Sequence, residues 1–172
     1  DSTITPSRGA IVDRNNQAFA VSTRVYDLAL DVRVLVEYYD AEEQEKTIST
    51  LAGIDYLGLD YNTLKSYIVT DENGVPAADT HWKVLAKKLT REQKEEIEAM
   101  DLKGVVFGAD TKRSYPLGTV GSDVIGFIRG DSSWGIENKY DSVLSGVKGR
   151  EFKSYHGGSR GVVESRDAKD GG

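Results

Sequence analysis

The sequence predicts an α+β fold, elongated, with long antiparallel strands formed by both chain ends and an α/β lobe in the middle. Near the start of the chain, apolar and polar residues alternate over a long stretch, which is the period of a strand. Polar residues typical of helix starts precede apolar runs in the middle of the chain. Two further alternating segments near the end indicate a hairpin.

The first part of the chain is predicted to be mostly strand. Residues 9–13 predict a short strand, and the Asp-Arg-Asn-Asn at 13–16 predicts a turn, because Asn tolerates positive φ better than most residues. From 17 to 31 the alternation predicts a long half-buried strand. Its two faces would carry Phe19, Val21, Thr23 and Val25 on one side, and Ala18, Ala20, Ser22 and Arg24 on the other.

The middle of the chain carries three helix starts. Asp40 followed by Glu43 resembles a capping box and predicts a helix over 41–52. Asp60 opens a second, short helix, and Thr90 with Gln93 predicts a third over 91–100. Between them, residues 71–74 predict a turn and the alternating residues 82–89 predict a strand.

The last part of the chain returns to strands. Residues 104–109 predict a strand, 120–128 and 136–144 predict short helices, and 150–155 with 162–165 predict a terminal hairpin. The polar tail at 167–172 ends in Gly-Gly and is interpreted as a linker or an expression scar.

The composition is that of a globular domain and excludes several function classes. Hydrophobic residues make up 38% and charged residues 29%. The net charge of -6 argues against a nucleic-acid surface, which needs a basic patch. The absence of cysteine excludes disulfides, thiolate metal sites and a cysteine nucleophile. No apolar run is long enough to span a bilayer and no signal peptide precedes Asp1, so any membrane anchor is expected to lie outside this sequence.

The sequence contains one motif that could mark a catalytic site. The two histidines, His81 and His156, have no metal-ligand spacing, and no phosphate-binding loop occurs, so neither a metal nor a cofactor is expected. Ser145 and Lys148 fit the S-x-x-K pattern of serine penicillin-interactive enzymes. About one such match is expected by chance in this composition, and the companion motifs S-x-N and K-[ST]-G are missing. Ser145 is therefore interpreted as structural.

Three separated segments form a more specific pattern. Residues 8–16 read Arg-Gly-Ala-Ile-Val-Asp-Arg-Asn-Asn, and residues 113–118 read Arg-Ser-Tyr-Pro-Leu-Gly, followed by Val-Ile-Gly-Phe-Ile at 124–128. Residues 135–141 read Gly-Ile-Glu-Asn-Lys-Tyr-Asp. In this order the segments resemble the motifs of the N-terminal pedestal, or dimerisation, domain of class B penicillin-binding proteins. Asn16 in place of Gly, Asp123 in place of His or Gln, and the unusual Trp134 depart from the family pattern and blur the subfamily.

The resemblance implies a set of structural and interdomain residues. These are Arg8, Gly9, Asp13, Arg14, Arg113, Tyr115, Pro116, Gly118, Gly126, Gly135, Glu137, Tyr140, Asp141, Leu144, Gly146 and Gly149. It implies no catalytic residue in this chain.

The charged members of the three segments suggest a partly buried ion-pair network that joins the ends of the chain. Arginine is a fork-shaped donor, and a carboxylate can accept from it bidentately. The donors would be Arg8, Arg14 and Arg113, and the acceptors Asp13, Glu137 and Asp141. We expect Glu137 to pair with an arginine of the first segment. Unrelated surface charges are the alternative.

The resemblance also implies the function. In this family the pedestal stands on the outer face of the bacterial cytoplasmic membrane, held by one transmembrane helix, and carries a serine D,D-transpeptidase that cross-links peptidoglycan. A glycan polymerase of the shape, elongation, division and sporulation (SEDS) group and other cell-wall synthesis or division proteins are the implied partners, with self-association as a homodimer. On this view, residues 1–39 and 104–166 form the pedestal and residues 40–103 form a variable head lobe.

Two alternatives stay open from the sequence. One is a stand-alone hydrolase that uses Ser145 and Lys148 or a carboxylate pair. The other is a β-lactam-sensor or adhesion module that shares the pedestal.

Overall fold

The computed structural model describes the backbone of residues 2–70, 76–78, 81–129, 132–156 and 159–172. Within these ranges it describes the side chains of all but residues 2–4, 70, 76–78, 129, 132, 151–156 and 159–165. The chain divides into two compact units: unit 1 comprises Asp1–Arg24 and Ala109–Gly172, and unit 2 comprises Val25–Gly108. The turn predicted at 71–74 lies outside the described residues.

Strands and helices are mixed throughout, which confirms the predicted α+β class. The described strands are β1 (Ser2–Ile4), β2 (Ile11–Val12), β3 (Ala18–Leu30), β4 (Ile68–Thr70), β5 (Pro76–Ala78), β6 (Lys83–Leu89), β7 (Val105–Ser114), β8 (Ile128–Arg129), β9 (Ser132–Ser133), β10 (Gly149–His156) and β11 (Ser159–Arg166). The described helices are α1 (Val32–Tyr38), α2 (Ala41–Ala52), α3 (Tyr61–Lys65), α4 (Arg91–Ala99), α5 (Ser122–Ile125), α6 (Gly135–Lys139) and α7 (Asp141–Leu144), with a 3₁₀ turn at Asp55–Leu57. None of these helices is long and apolar enough to cross a bilayer.

In unit 1 the two ends of the chain share an antiparallel sheet with the order β1-β10-β11. Ile4 pairs with Gly149, and Arg150 pairs with Arg166. The hairpin predicted at the end of the chain is therefore present as β10 and β11, and β1 extends it by one strand.

A second sheet is built around β3, which pairs with β2, β6 and β7. The predicted alternation of faces along β3 is wrong in detail. Ala20 and Val25 are both buried although they are five residues apart, and Leu28, Ala29 and Leu30 are buried in succession. Three successive buried residues require cover on both faces of the strand, and the pairing with β6 shifts register on either side of Leu28.

Unit 2 encloses an apolar core between its strands and helices. The fully buried members include Leu28, Leu35, Ile48, Leu51 and Ile97. Helix α2 begins at the predicted residue because Asp40 accepts a hydrogen bond from the Glu43 amide at 3.0 Å. In α4 the full capping box between Thr90 and Gln93 is formed.

Two helix predictions need correction, and one helix was not predicted. Helix α1 was not predicted because its Val-rich sequence has low helix propensity, but Asp31 caps it and burial of Val32 and Leu35 stabilises it. The helix predicted at 120–128 is limited to α5, since Gly126 has a φ of 75°. The helix predicted at 136–144 is two helices, which are separated at Tyr140.

The tail predicted as a linker is part of unit 1. Lys169 and Val147 exchange backbone hydrogen bonds of 2.7 and 2.9 Å, and the Gly171 amide donates to the Ser7 carbonyl at 3.0 Å. The Ser7 amide donates to Asp170 Oδ1 at 2.7 Å. The head lobe predicted at 40–103 falls within unit 2, which also includes 25–39 and 104–108.

Candidate functional site

Unit 1 contains a fully buried carboxylate, that of Glu137. Glu137, in α6, has no solvent exposure. Its Oε2 accepts from Arg8 Nε at 2.8 Å, and its Oε1 accepts from Arg113 Nε at 2.9 Å. Arg8 follows β1 and Arg113 lies near the end of β7, so one carboxylate joins three segments that are far apart in sequence.

Arg8 uses its whole guanidinium in this arrangement. Besides Glu137, its Nη1 donates to Asp141 Oδ1 at 2.6 Å and to Ser145 Oγ at 2.9 Å, and its Nη2 donates to the Glu137 carbonyl at 2.6 Å. Burial disfavours the charged form, but the hydrogen bonds to Glu137 and Asp141 outweigh it and raise the pKa of Arg8. The bond from Arg8, followed by that from Ser145, lowers the pKa of Asp141.

Arg113 ties the same carboxylate to the backbone of the first segment. Its Nη1 donates to the Gly9 carbonyl at 2.7 Å and to Ser22 Oγ at 3.0 Å. The side chain is 11% exposed, close to the 13% of Arg8. We refer to Arg8, Arg113, Glu137 and Asp141 as the Glu137 cluster.

Tyr115 borders the Glu137 cluster. Its hydroxyl donates to Glu137 Oε1 at 3.3 Å and accepts from the Ile128 amide at 3.1 Å. Burial raises the pKa of Tyr115. The following Pro116 and Gly118 form an exposed turn, closed by a 3.0 Å bond from the Gly118 amide to the Tyr115 carbonyl.

Glycine is required at positions 126 and 135 because two backbone segments are in close contact there. A Cβ on Gly126 would lie 1.9 Å from the Trp134 carbonyl oxygen, and one on Gly135 would lie 2.7 Å from that of Val124. Both glycines also have positive φ. Any side chain at either position would push α5 away from α6, which carries Glu137.

Four further motif residues hold the tail of the chain. A Cβ on Gly146 would lie 2.2 Å from the Lys169 carbonyl oxygen, and one on Gly149 would lie 2.3 Å from that of Arg166. Buried Leu144 accepts from the Gly9 amide at 2.9 Å. Gly9 itself lies against Gly171.

Three other predicted motif residues, Asp13, Arg14 and Tyr140, also lie outside the Glu137 cluster. Asp13 accepts from the amides of Asn15 and Gln17, each at 2.8 Å, and so closes the turn before β3. Arg14 is exposed in that turn. Tyr140 has half of its surface exposed, and its backbone marks the break between α6 and α7. The predicted network is therefore smaller than the six charges proposed from sequence.

The arrangement can hold segments together but offers no reactive group. Ser145 Oγ accepts from Arg8 and donates to Asp141 at 2.9 Å, whereas Lys148 is exposed. A nucleophilic serine needs a neighbouring base strong enough to remove its proton. Asp141, which accepts from Ser145, is a weak base because the hydrogen bond from Arg8 lowers its pKa. Among the described residues, no group of three metal-ligating side chains is close enough to bind an ion.

Sequence reasoning missed the contribution of the tail and of two serines. Asp170 and Gly171 contact the first segment, yet the polar Asp-Gly-Gly ending is typical of a linker. Ser145 could have been placed beside Asp141 by its i, i+4 spacing. Ser22 carried no local signal, because only the pairing of distant strands brings it to Arg113.

The three segments that meet at Glu137 are also the ones that carry the family motifs. Residues 3–172 match the family model described as penicillin-binding protein dimerisation domain. The chain belongs to this family. The prediction of a class B penicillin-binding protein dimerisation domain is thereby confirmed.

Curated relatives of this dimerisation domain are several times longer. The chain is 32% identical over 147 residues to stage V sporulation protein D of Bacillus subtilis, covering 84% of this chain and 21% of the relative. It is 27% identical over 151 residues to peptidoglycan D,D-transpeptidase FtsI of Escherichia coli K12, covering 87% of this chain and 24% of the relative. The dimerisation domain thus spans about a fifth to a quarter of the curated relatives that it matches.

Solved structures share the fold. Penicillin-binding protein 2X from Streptococcus thermophilus matches with a TM-score of 0.74 at 22% identity, over 99% of this chain and 28% of that chain. A complex between penicillin-binding protein PBP2 and MreC from Helicobacter pylori matches with a TM-score of 0.60 at 17% identity, over 98% of this chain and 34% of that chain. At these identities the likeness concerns the fold alone.

Proposed function

We propose that this domain is the non-catalytic stand of a peptidoglycan D,D-transpeptidase, which it positions while docking partner proteins of cell-wall synthesis. The observation that carries the proposal is the Glu137 cluster, which joins three distant segments of unit 1 through charge-assisted hydrogen bonds. Such a cluster holds the three segments in one arrangement, as is required of a domain that positions another domain. The relatives named as transpeptidases support the assignment of the longer protein.

Penicillin labelling tests the catalytic part of the proposal. A fluorescent penicillin should label the longer parent protein covalently and leave this chain unlabelled, because Ser145 is held between Arg8 and Asp141. The parent sequence after residue 172 should contain S-x-x-K, S-x-N and K-[ST]-G in that order. Labelling of this chain would instead favour the stand-alone hydrolase, and a parent without those motifs would favour the sensor or adhesion module.

Weakening the Glu137 cluster in the parent tests the positioning role. In the parent protein, Glu137→Gln should leave acylation by soluble penicillin unchanged, because a small inhibitor reaches the active site without the stand. Cross-linking of peptidoglycan in cells should fall, because the catalytic domain is no longer positioned. Unchanged cross-linking with a correctly folded variant would argue against positioning.

We further propose that the domain acts at the outer face of the cytoplasmic membrane and contacts a SEDS-type glycan polymerase. The PBP2–MreC complex of Helicobacter pylori supports partner docking by this fold. Co-purification of the detergent-solubilised parent with its polymerase tests the contact, and protease digestion of intact spheroplasts tests the location. Loss of the polymerase under mild detergent, or protection from added protease, would contradict these two assignments.

Self-association is a second proposal, favoured by the family description as a dimerisation domain. Sedimentation velocity of this chain over a hundredfold concentration range tests it. A shift toward twice the monomer mass of 18.9 kDa is expected if the domain dimerises by itself.

A further inference from the structure

Unit 2 has an open groove that is lined by α4, by the start of β7 and by the connection between them. Its volume is about 330 Å³. Since an apolar cavity of roughly 150 Å³ holds one benzene ring, the groove has room for about two large apolar side chains. We refer to it as the α4 groove, defined by the apolar residues Ile97, Leu102, Val106 and Phe107 together with Lys94 and Glu98.

The connection that lines the α4 groove is fixed to the rest of unit 2. The Lys103 amide donates to Thr47 Oγ1 at 3.1 Å, and the Gly104 carbonyl accepts from the Asp31 amide at 2.8 Å. On β7, the side chain of Phe107 packs against the apolar core of the unit. The α4 groove is therefore preformed, and an occupant has few protein groups to order when it binds.

The α4 groove already holds one positive charge. The Nζ atom of Lys94 lies 5.3 Å from the centre of the Tyr26 ring and 5.5 Å from that of Phe107. The same atom forms an ion pair with Glu98. The Glu98 side chain is still 48% exposed, and a carboxylate has several lone pairs, so it can accept a second cation from outside.

The negative charge of the chain is concentrated in unit 2. Its residues 25–108 include 17 acidic and 9 basic residues, which gives a net charge of -8, whereas the whole chain has -6. Unit 1 therefore has a net charge of +2. A field of this sign attracts basic partners to unit 2 and repels nucleic acids and anionic lipid surfaces.

The apolar lining and the charge together define an occupant. On the basis of the proposed function, in which the domain docks partner proteins, we propose that the α4 groove receives a basic amphipathic segment of such a partner. Large apolar side chains of the segment contact Leu102, Val106 and Phe107, and a flanking lysine or arginine pairs with Glu98. A second copy of this chain is a poorer occupant, because its unit 2 carries the same -8 and its unit 1 only +2.

Titration with defined peptides tests the proposal. The probe is a short synthetic peptide in which leucine and tryptophan alternate with pairs of lysines. One control peptide has glutamate in place of every lysine, and the other has glycine in place of leucine and tryptophan. We expect the probe to shift the NMR amide signals of Leu102, Val106 and Phe107, and both control peptides to bind at least about tenfold more weakly.

A pair of matched variants tests whether the charge acts at the α4 groove. Glu98→Lys breaks the ion pair with Lys94, and the control Glu37→Lys breaks the ion pair with Arg33. The two glutamates lie in unit 2, are 48% and 45% exposed, and change the net charge equally when replaced. We expect Glu98→Lys to weaken binding of the probe roughly fivefold and Glu37→Lys to weaken it less than about twofold.

Three outcomes would overturn the proposal. Equal binding of the probe and either control peptide would show that one of the two required chemistries is irrelevant. Equal weakening by Glu98→Lys and Glu37→Lys would show that only the overall charge attracts the probe. Shifts at the α4 groove that grow with the concentration of this chain, without peptide, would assign it to a second copy.

Co-purification of the wild-type parent with its polymerase separates this inference from the proposed function. Loss of the polymerase while the probe still binds the α4 groove would contradict the proposed function alone. Retention of the polymerase while the probe fails to bind would contradict this inference alone.

Discussion

Glu137 is the residue on which the geometry of unit 1 depends. Two guanidinium groups share its carboxylate, and Asp141 supplies the second negative charge, so the Glu137 cluster is neutral as a whole. Breaking a buried ion pair by removing one partner is much more damaging than exchanging the pair for apolar residues, because the other charge stays buried. In this cluster, loss of Glu137 would break the ion pair of Arg113 with Glu137 and would leave Arg8 with its ion pair to Asp141.

Replacing Glu137 by Ala should strongly destabilise unit 1. The loss should be about 3–5 kcal/mol, as found when one partner of a buried ion pair is removed. For a domain of this size, that lowers the melting temperature by roughly 10 °C or more. Thermal denaturation followed by circular dichroism measures it.

The matched control is Glu37→Ala. Glu37 forms an ion pair with Arg33 at 2.7 Å, but both side chains are about half exposed. Exposed pairs of this type contribute about 0.3–0.5 kcal/mol, so the control should melt within about 2 °C of the wild type. Similar losses for Glu37→Ala and Glu137→Ala would contradict the special position of Glu137.

Protonation of Asp141 should make the stability of unit 1 depend on pH in the acid range. Its pKa is lowered from the ordinary value of 3.8 by the hydrogen bond from Arg8 and then by that from Ser145. A carboxyl group with a depressed folded-state pKa stabilises the fold above its unfolded pKa, and this stabilisation is lost as the pH falls through the folded pKa. The wild type should therefore be more stable than Asp141→Asn near neutral pH, and the difference should shrink below about pH 3.8. Melting temperatures of both proteins across this range test the prediction, and a difference that does not change with pH would contradict it.

At the scale of elements, a pair of glycines sets the distance between α5 and α6. Gly126→Ala should cost on the order of 3 kcal/mol or more, because it combines a positive φ with a backbone clash. Gly58 has a similar φ of 59°, but open space surrounds it, so Gly58→Ala should cost only about 1–2 kcal/mol. Urea denaturation measures both values. Equal losses of unfolding free energy for the two variants would mean that the backbone contact between Gly126 and Trp134 is unimportant.

The helices with polar caps could be predicted from the sequence because a cap is a local signal. The side chains of Asp40 and Thr90 accept hydrogen bonds from amides three residues later, so the two partners lie close together in the sequence. Helix α1 and the faces of β3 could not be predicted in this way. Their conformation depends on burial from both sides and on register shifts, which involve residues far away in the chain.

At the scale of the whole molecule, the two units differ in the described parts of their interiors. Unit 2 has an apolar cluster with fully buried residues such as Leu28 and Ile48, whereas the buried centre of unit 1 includes the carboxylate of Glu137. Alternating apolar residues indicate a core of the first kind. A polar centre leaves no periodic pattern, and only the family resemblance indicated that Arg8, Arg113 and Glu137 belong together.

The family resemblance also failed to predict some contacts of the motif residues, and the reasons are physical. It grouped Asp13 and Arg14 with the other charges, although Asp13 caps its own turn and Arg14 is exposed. It gave no role to the tail, whose contacts are made by backbone atoms against glycines. Contacts of this kind depend on the shape of the backbone and not on the type of side chain, so they leave little trace in a single sequence.

Amide hydrogen exchange of the wild type and Glu137→Gln tests most directly whether one carboxylate holds the three segments together. We predict that amide exchange at Gly9, Ile128 and Leu144 accelerates together, by about a hundredfold for a loss of roughly 3 kcal/mol. Residues of the unit 2 core such as Leu51 should exchange as in the wild type. Acceleration confined to α6, with Gly9 and Ile128 unchanged, would contradict the central claim.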